Sequence, residues 1–156
     1  MPVSPIPDGY HSVTPYITVR GGAKALEFYK AAFGATEIMR FSGPDGSVAH
    51  AEIQIGNSRV MLGDENPAFG NHSPESLGGA SGGLCVYLPD VDAAFAKAVT
   101  AGAKAFKPVQ DQFYGDRSGS VIDPFGHVWT LATHIEDVSL DEMQRRCAEL
   151  MKGAAA

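Results

Sequence analysis

The residues best suited to chemistry lie in the run Val48-Ala49-His50-Ala51-Glu52-Ile53-Gln54-Ile55. Ala49, Ala51, Ile53 and Ile55 fall on one parity, and His50, Glu52 and Gln54 on the other. Successive side chains of a strand point to opposite faces, so the imidazole and the carboxylate share one face. Such a pair suits a general base or a hydrogen-bond anchor, with Glu52 polarising His50. It would also serve a divalent metal given a third ligand from elsewhere, or simply form a polar outer face; these alternatives stay open at this point. A second candidate is Arg117, after Asp116 and before a Gly-rich strand. If Ile122 packs outward opposite Trp129, Arg117 points inward and can clamp a carboxylate or phosphonate; the alternative is a structural ion pair. A third set shares one strand parity: Thr14, Tyr16 and Thr18, then Met61 and Gly63, Cys85 and Tyr87, and Val128 and Thr130. Aromatic, hydroxyl and thioether groups together suit an apolar or aromatic ligand held by a few hydrogen bonds. Nothing cationic accompanies Cys85, so it reads as an unreactive thiol. No phosphate-binding glycine loop, nucleophile elbow or paired-carboxylate spacing occurs.

The elements that must position these groups are short, cut by 18 glycines and 10 prolines. Val13 to Val19 reads as a strand. Ala23, Leu26, Tyr29 and Phe33 recur at helical spacing up to Gly34, a C-cap glycine. Strands follow over 36–41, 48–55 and 59–63, with turns at Pro44-Asp45-Gly46 and Gly56-Asn57-Ser58. The order then recurs: a strand over 84–88, a helix carrying Val91, Ala94, Phe95, Ala98 and Val99 that ends at Gly102, and strands over 103–109, 117–122 and 127–133. Phe33-Gly34-Ala35 overlays Ala101-Gly102-Ala103, and the pattern is a duplicated β-α-β-β-β unit. Neither half buries enough surface alone, so the two must pair. The expected layout is a single domain made of a module over 10–65, a linker over 66–82, a module over 83–134 and a helix over 139–152. The Gly/Ser/Pro/Asn-rich stretch 64–82 is either a plain linker or a lid bringing Phe69 and His72 to a ligand. Ser139-Leu140-Asp141-Glu142 is a capping box opening the last helix, whose stripe of Leu140, Met143, Cys147, Leu150 and Met151 is expected to dock on this chain or a partner. The tail Gly153-Ala154-Ala155-Ala156 carries no signal.

Composition bounds the function. The 156 residues are 44% hydrophobic and 19% charged, which argues for a packed core and against disorder. A net charge of −6 without a basic run argues against nucleic acid as a partner. No apolar stretch is long enough to span a membrane. The N-terminus lacks the basic and apolar regions of a signal peptide, and the two cysteines, Cys85 and Cys147, have no metal or redox spacing, so a reducing cytoplasmic setting is expected.

Several stretches carry a resemblance: Thr14-Pro15-Tyr16-Ile17, Ala25-Leu26-Glu27-Phe28-Tyr29-Lys30 with Phe33-Gly34-Ala35, Pro44-Asp45-Gly46 followed by His50-Ala51-Glu52, and Tyr114-Gly115-Asp116-Arg117 through Asp123-Pro124-Phe125-Gly126-His127, Trp129 and Thr133-His134. With the duplicated order, they resemble the vicinal-oxygen-chelate superfamily, and within it the PhnB-like branch of glyoxalase/bleomycin-resistance proteins. The resemblance implies an α+β fold whose paired modules make a curved mixed sheet with a concave cleft. In metal-dependent members of that superfamily, four side chains on the concave face hold a divalent ion. The matching positions here are Thr14, Met61, Gly83 and Thr130, a set without His, Asp, Glu or Gln and thus a poor ligand sphere. The reading therefore carries no metal and no cofactor. It implies a protein that binds or sequesters a small organic molecule, such as an aromatic natural product or antibiotic, with Thr14, Tyr16, His50, Glu52, Met61, Phe69, Cys85, Tyr87, Arg117 and Thr130 as ligand contacts. The alternative is a lyase or isomerase that moves a proton with His50 or Glu52, with or without a displaced metal. The resemblance also implies a homodimer, with the N-terminal arm and the C-terminal helix crossing between chains.

Overall fold

The computed structural model describes residues 3–154; Met1, Pro2 and the last two alanines of the tail lie outside the described residues. The observed order is β1 (Tyr16–Val19), α1 (Gly22–Phe33), β2 (Thr36–Ser42), β3 (Val48–Ile55), β4 (Ser58–Asp64), α2 (Pro74–Leu77), β5 (Gly83–Tyr87), α3 (Val91–Ala101), β6 (Lys104–Asp111), β7 (Asp116–Ile122), β8 (Val128–His134) and α4 (Leu140–Ala154). This is the expected α+β fold. The first four strands form a sheet in the order β1-β4-β3-β2, and the second four repeat it as β5-β8-β7-β6. In each sheet the first strand runs parallel to the last, and the remaining pairs are antiparallel.

Period-two patterning sorts the faces. Ile17, Val19, Ala51, Ile53, Ile55, Val60 and Leu62 are buried on the face that carries α1, and Val121, Trp129 and Leu131 on the face that carries α3. Tyr16 of β1 lies opposite Met61, as Gly83 of β5 lies opposite Val128, an offset of 67; the helix caps Gly34 and Gly102 are 68 apart. One extra residue between strand and cap in the second half absorbs the difference. The N-terminus of α1 has no capping side chain of its own. Asp64 at the end of β4 supplies one, accepting from the amides of Gly21 and Gly22 at 2.7 and 2.8 Å and from Val48 N–H at 2.8 Å.

The halves meet through their helix-bearing sides. Helices α1 and α3 pack together, Phe33 and Tyr29 lie 4.8 and 5.4 Å from the Trp129 ring, and Phe28 lies 6.2 Å from Phe125. At the centre sits Asp123, a buried carboxylate. Its Oδ2 accepts from Tyr29 Oη at 2.7 Å and from Trp129 Nε1 at 2.9 Å, and its Oδ1 accepts from the amides of Phe125 and His127, both at 2.9 Å. The hairpin tip turns at Gly126, whose φ of 91° suits glycine. His127 adds a bond from Nε2 to the carbonyl of Thr18 at 2.8 Å.

Three expectations change. Val13 is exposed, because β1 begins only at Tyr16. The 64–82 stretch is not structureless: a 3-10 turn over Pro67–Phe69 and the short α2 are tied to Glu65, which accepts from Ser73 N–H, the Ser73 and Ser76 hydroxyls and Arg20. In α4 the Ser139 hydroxyl caps Glu142 N–H, but Glu142 bonds Arg145 and Arg146 rather than closing the box, and no α4 residue is buried.

Removing the Asp123 carboxylate strands four donors inside the core. Asp123→Ala is expected to lower unfolding stability by about 3 kcal/mol or more, read as a fall in the urea midpoint. A loss below ~1 kcal/mol would show that the junction does not depend on it.

Candidate functional site

The strand faces turned away from the helices hold the chemistry. On the first sheet, register places Tyr16 opposite Met61, Met61 opposite Glu52, and Arg59 opposite Gln54, all on the open face. Phe41 lies opposite His50 and Met39 opposite Glu52 on the neighbouring β2. Glu52 is only 5% exposed. Its Oε2 accepts from Tyr10 Oη and faces Arg59 Nη1 at 3.8 Å, and its Oε1 meets His50 Nε2 at 3.1 Å. A carboxylate only accepts, so His50 carries its proton on Nε2 and leaves Nδ1 free to accept. Tyr16 Oη sits 3.0 Å from that nitrogen. The chain is ordered from buried to exposed: Glu52, then half-buried His50, then Tyr16 at 52% exposure. Tyr10 and Arg59 were not among the sequence candidates. Arg59 was findable, lying two residues before Met61 on the same parity; no pattern marks Tyr10.

The N-terminal arm folds back on its own chain. Tyr10 reaches Glu52, Arg59 stands over the Tyr10 ring at 5.0 Å, and His11 Nε2 meets the Asn57 carbonyl at 3.1 Å.

On the second sheet's open face, Tyr87 Oη donates to Asp116 Oδ2 at 2.7 Å, and Asp116 Oδ1 meets His134 Nδ1 at 2.7 Å. His134 Nε2 faces Asp137 at 2.8 Å. Carboxylates on both ring nitrogens, Asp137 first and then Asp116, raise the pKa of His134 above its ordinary value. Asp116 holds the Tyr87 proton and pushes that phenol up to about 12. The Cys85 thiol is also raised, by burial and then by Asp116, so it is a poor thiolate, as the sequence suggested. Thr130 Oγ1 and Ser120 Oγ are 2.9 Å apart on this face.

Within one chain the candidate residues do not share one cup. Because the halves pack through their helical sides, Tyr16, His50, Glu52 and Met61 stand on one open face, and Cys85, Tyr87 and Thr130 on another. What joins parts of the two sets is a cavity of about 630 Å³ at the seam between the halves. Thr14, Arg59, Val86, Cys85, Tyr87 and Trp129 are among its walls. Arg59 Nε is buried with no hydrogen-bond partner.

Two candidates stand apart from this cavity. Arg117 points to the helix side, bonding Asp92 at the start of α3 through Nε and Nη2 at 2.7 and 2.9 Å, and Asp111 through Nη1 at 2.8 Å. The inward placement rested on Ile122 facing Trp129. The register instead pairs Val121 with Trp129 and Ile122 with Val128, and a one-residue slip reverses every side chain. Phe69 is 81% exposed and lines none of the cavities described; His72 lines a smaller one with Ile17, Leu84 and His127. The positions matching the superfamily's metal ligands, Thr14, Met61, Gly83 and Thr130, do not fit a divalent ion. Two hydroxyls, a thioether and a glycine offer no anionic or imidazole donor, and among the described residues no three His, Cys, Asp or Glu side chains are grouped so that they could hold a metal ion.

Fold and site together define a duplicated β-α-β-β-β protein with a seam cavity and two polar open faces. The model of the Glyoxalase/Bleomycin resistance protein/Dioxygenase superfamily matches residues 9–131, and the chain belongs to that superfamily. An uncharacterized protein of Mycobacterium tuberculosis is 42% identical over 136 residues, covering 85% of this chain and 80% of that protein. An Arabidopsis thaliana gene product of known X-ray structure superposes with a TM-score of 0.64 at 28% identity, covering 79% of this chain and 98% of that one. TioX from Micromonospora sp. ML1 gives 0.62 at 25% identity, covering 80% and 99%. The fosfomycin resistance protein FosX of Listeria monocytogenes gives 0.60 at 16%, covering 85% and 97%, a likeness of fold.

The Tyr87–Asp116 bond has a pH signature. A phenol raised on folding adds stability that is full below its unfolded value near 10 and is lost as pH rises through about 12. Asp116→Asn is expected to bring the Tyr87 titration, followed by NMR of labelled tyrosine, back toward 10. An unchanged midpoint would exclude Asp116 as its cause.

Proposed function

We propose that this chain is a metal-independent binding protein that holds a small, largely apolar organic molecule, such as an aromatic natural product, in the seam cavity. The observation carrying the reading is the cavity itself: about 630 Å³, between two halves, walled by Val86, Trp129, Cys85 and Tyr87, and touching Arg59 with its unpartnered Nε. Cavities of some hundreds of Å³ with an apolar wall and few polar groups are the usual form of small-molecule sites. Ring and aliphatic walls supply burial, and Arg59 offers a donor to a carbonyl or anionic group on the ligand. The poor donor set at Thr14, Met61, Gly83 and Thr130 supports metal independence. The motifs around 25–35 and 114–127 support a place in the PhnB-like branch of the superfamily.

The probe is 1-anilinonaphthalene-8-sulfonate, an apolar aromatic anion, followed by fluorescence. Saturable binding is expected with one site per chain. Val86→Trp, which fills the cavity, is expected to abolish it, and Arg59→Met to weaken it about tenfold, or ~1.4 kcal/mol. Binding that survives Val86→Trp would place the ligand elsewhere and sink the reading.

We also propose a homodimer. Phe41, Tyr87 and Phe106 are exposed on the sheets, and Leu140, Leu150 and Met151 form an exposed stripe on α4. Patches of this kind mark interaction surfaces. Light scattering should give twice the chain mass, and the double variant Leu150→Glu, Met151→Glu should reduce it to one chain. A wild-type monomer at micromolar concentration would refute the assignment.

A further inference from the structure

Two tyrosines stand exposed on the open faces, and their partners differ in kind. Tyr87 donates a hydrogen bond to the Asp116 carboxylate, in a pair that keeps the proton on the phenol. Tyr16 faces a nitrogen lone pair. His50 Nδ1 is 3.0 Å from Tyr16 Oη, His50 Nε2 is 3.1 Å from Glu52 Oε1, and Glu52 is anchored by Tyr10 Oη with Arg59 close by. An exposed hydroxyl, a base within hydrogen-bond reach, and a buried carboxylate orienting that base form the general arrangement of an activated nucleophile. The imidazolium that forms when Tyr16 loses its proton would lie against Glu52, which stabilises it. Apolar groups flank the pair: the Phe41 ring lies near-parallel to His50 at 6.3 Å, with Met39 and Met61 on the same face.

We propose that Tyr16 is an activated phenol and that the open face of the first sheet is an acyl-transfer site for small esters or thioesters with an apolar acyl part. The Tyr16 oxygen bonds to the acyl carbon while its proton passes to His50 Nδ1. The bond from that carbon to the departing oxygen or sulfur breaks with its electron pair, and the leaving group takes the proton from His50. Water then gives a proton to His50 and bonds to the acyl carbon, the bond from that carbon to the Tyr16 oxygen breaks with its electron pair, the phenolate takes the proton back from His50, and the carboxylic acid leaves. Met39, Phe41 and Met61 hold the acyl part. No metal, oxidant or reductant enters the balance. Tyr16 and His50 are not among the walls of the seam cavity, although Arg59 borders both, so this inference and the binding reading can fail separately.

The test is the reaction of the full chain with p-nitrophenyl acetate and p-nitrophenyl butyrate. The expected result is a burst of p-nitrophenolate approaching one per chain, with the acyl group found by mass spectrometry on the peptide containing Tyr16 and not on that containing Tyr87. Tyr16→Phe should abolish the burst. His50→Gln should slow it about a hundredfold and confine it to alkaline pH, where an unassisted phenol ionises at about 10. Both replaced side chains are at least partly exposed, and circular dichroism checks that the fold survives. Acylation spread over lysines and other tyrosines would overturn the proposal. So would a Tyr16 acylation rate unchanged in His50→Gln. Val86→Trp, which blocks the seam cavity, should leave the burst intact.

Discussion

The two halves are held to one another by a single buried carboxylate more than by any other group. Asp123 accepts hydrogen bonds from a tyrosine of the first half, a tryptophan of the second and two amides of its own hairpin. A carboxylate in a core is costly unless all its lone pairs are used, and four donors use them here. Burial, and then the anionic field of Asp123, raise the Tyr29 phenol well above its ordinary pKa, so this tyrosine stays protonated and keeps donating. The aromatic cluster of Phe28, Tyr29, Phe33, Phe125 and Trp129 then has a fixed centre to pack around. Because that junction lies on the helical side of each sheet, the opposite faces are left outward, and the seam cavity opens between the edge strand β5, the segment 13–15 leading into β1 and the β3–β4 turn.

Local chemistry on the two outward faces follows one rule with two results. Each places a phenol beside a titratable side chain and orients that group with another. On the first sheet a histidine is inserted between phenol and carboxylate, so the phenol meets an acceptor that can take a proton. On the second sheet the carboxylate meets the phenol directly and the histidine lies behind it, so the proton is held. The order of two residues along a hydrogen-bond chain sets whether a tyrosine is primed or locked.

Much of the fold was legible because strand alternation and helix caps are local signals. Gly34 and Gly102 mark helix ends, Ala51 to Ile55 alternates as expected while a register shift leaves Ala49 exposed and Val48 buried, and the parity argument put His50 beside Glu52 and sent Trp129 to the core. Features set by register were not. Arg117 was misplaced because the length of the Asp123–His127 turn decides whether Val121 or Ile122 faces Trp129, and no alternation in the short Ser118-Gly119-Ser120 run fixes it. That the two candidate sets stand apart within one chain has a longer-range reason: the sequence shows that two halves must pair, but not which faces they pair with. The Tyr10 contact was likewise invisible, since it depends on where an irregular arm returns.

Duplication with the helical sides turned inward divides labour along every strand. Residues of one parity are bound to the shared core and cannot change size or polarity without cost. Their neighbours of the other parity carry no such duty. The two outer surfaces can therefore drift apart in sequence while the scaffold persists, which is how halves of common pattern come to present an imidazole relay on one side and a row of hydroxyls on the other. In this architecture, chemical novelty accumulates where packing has released its hold.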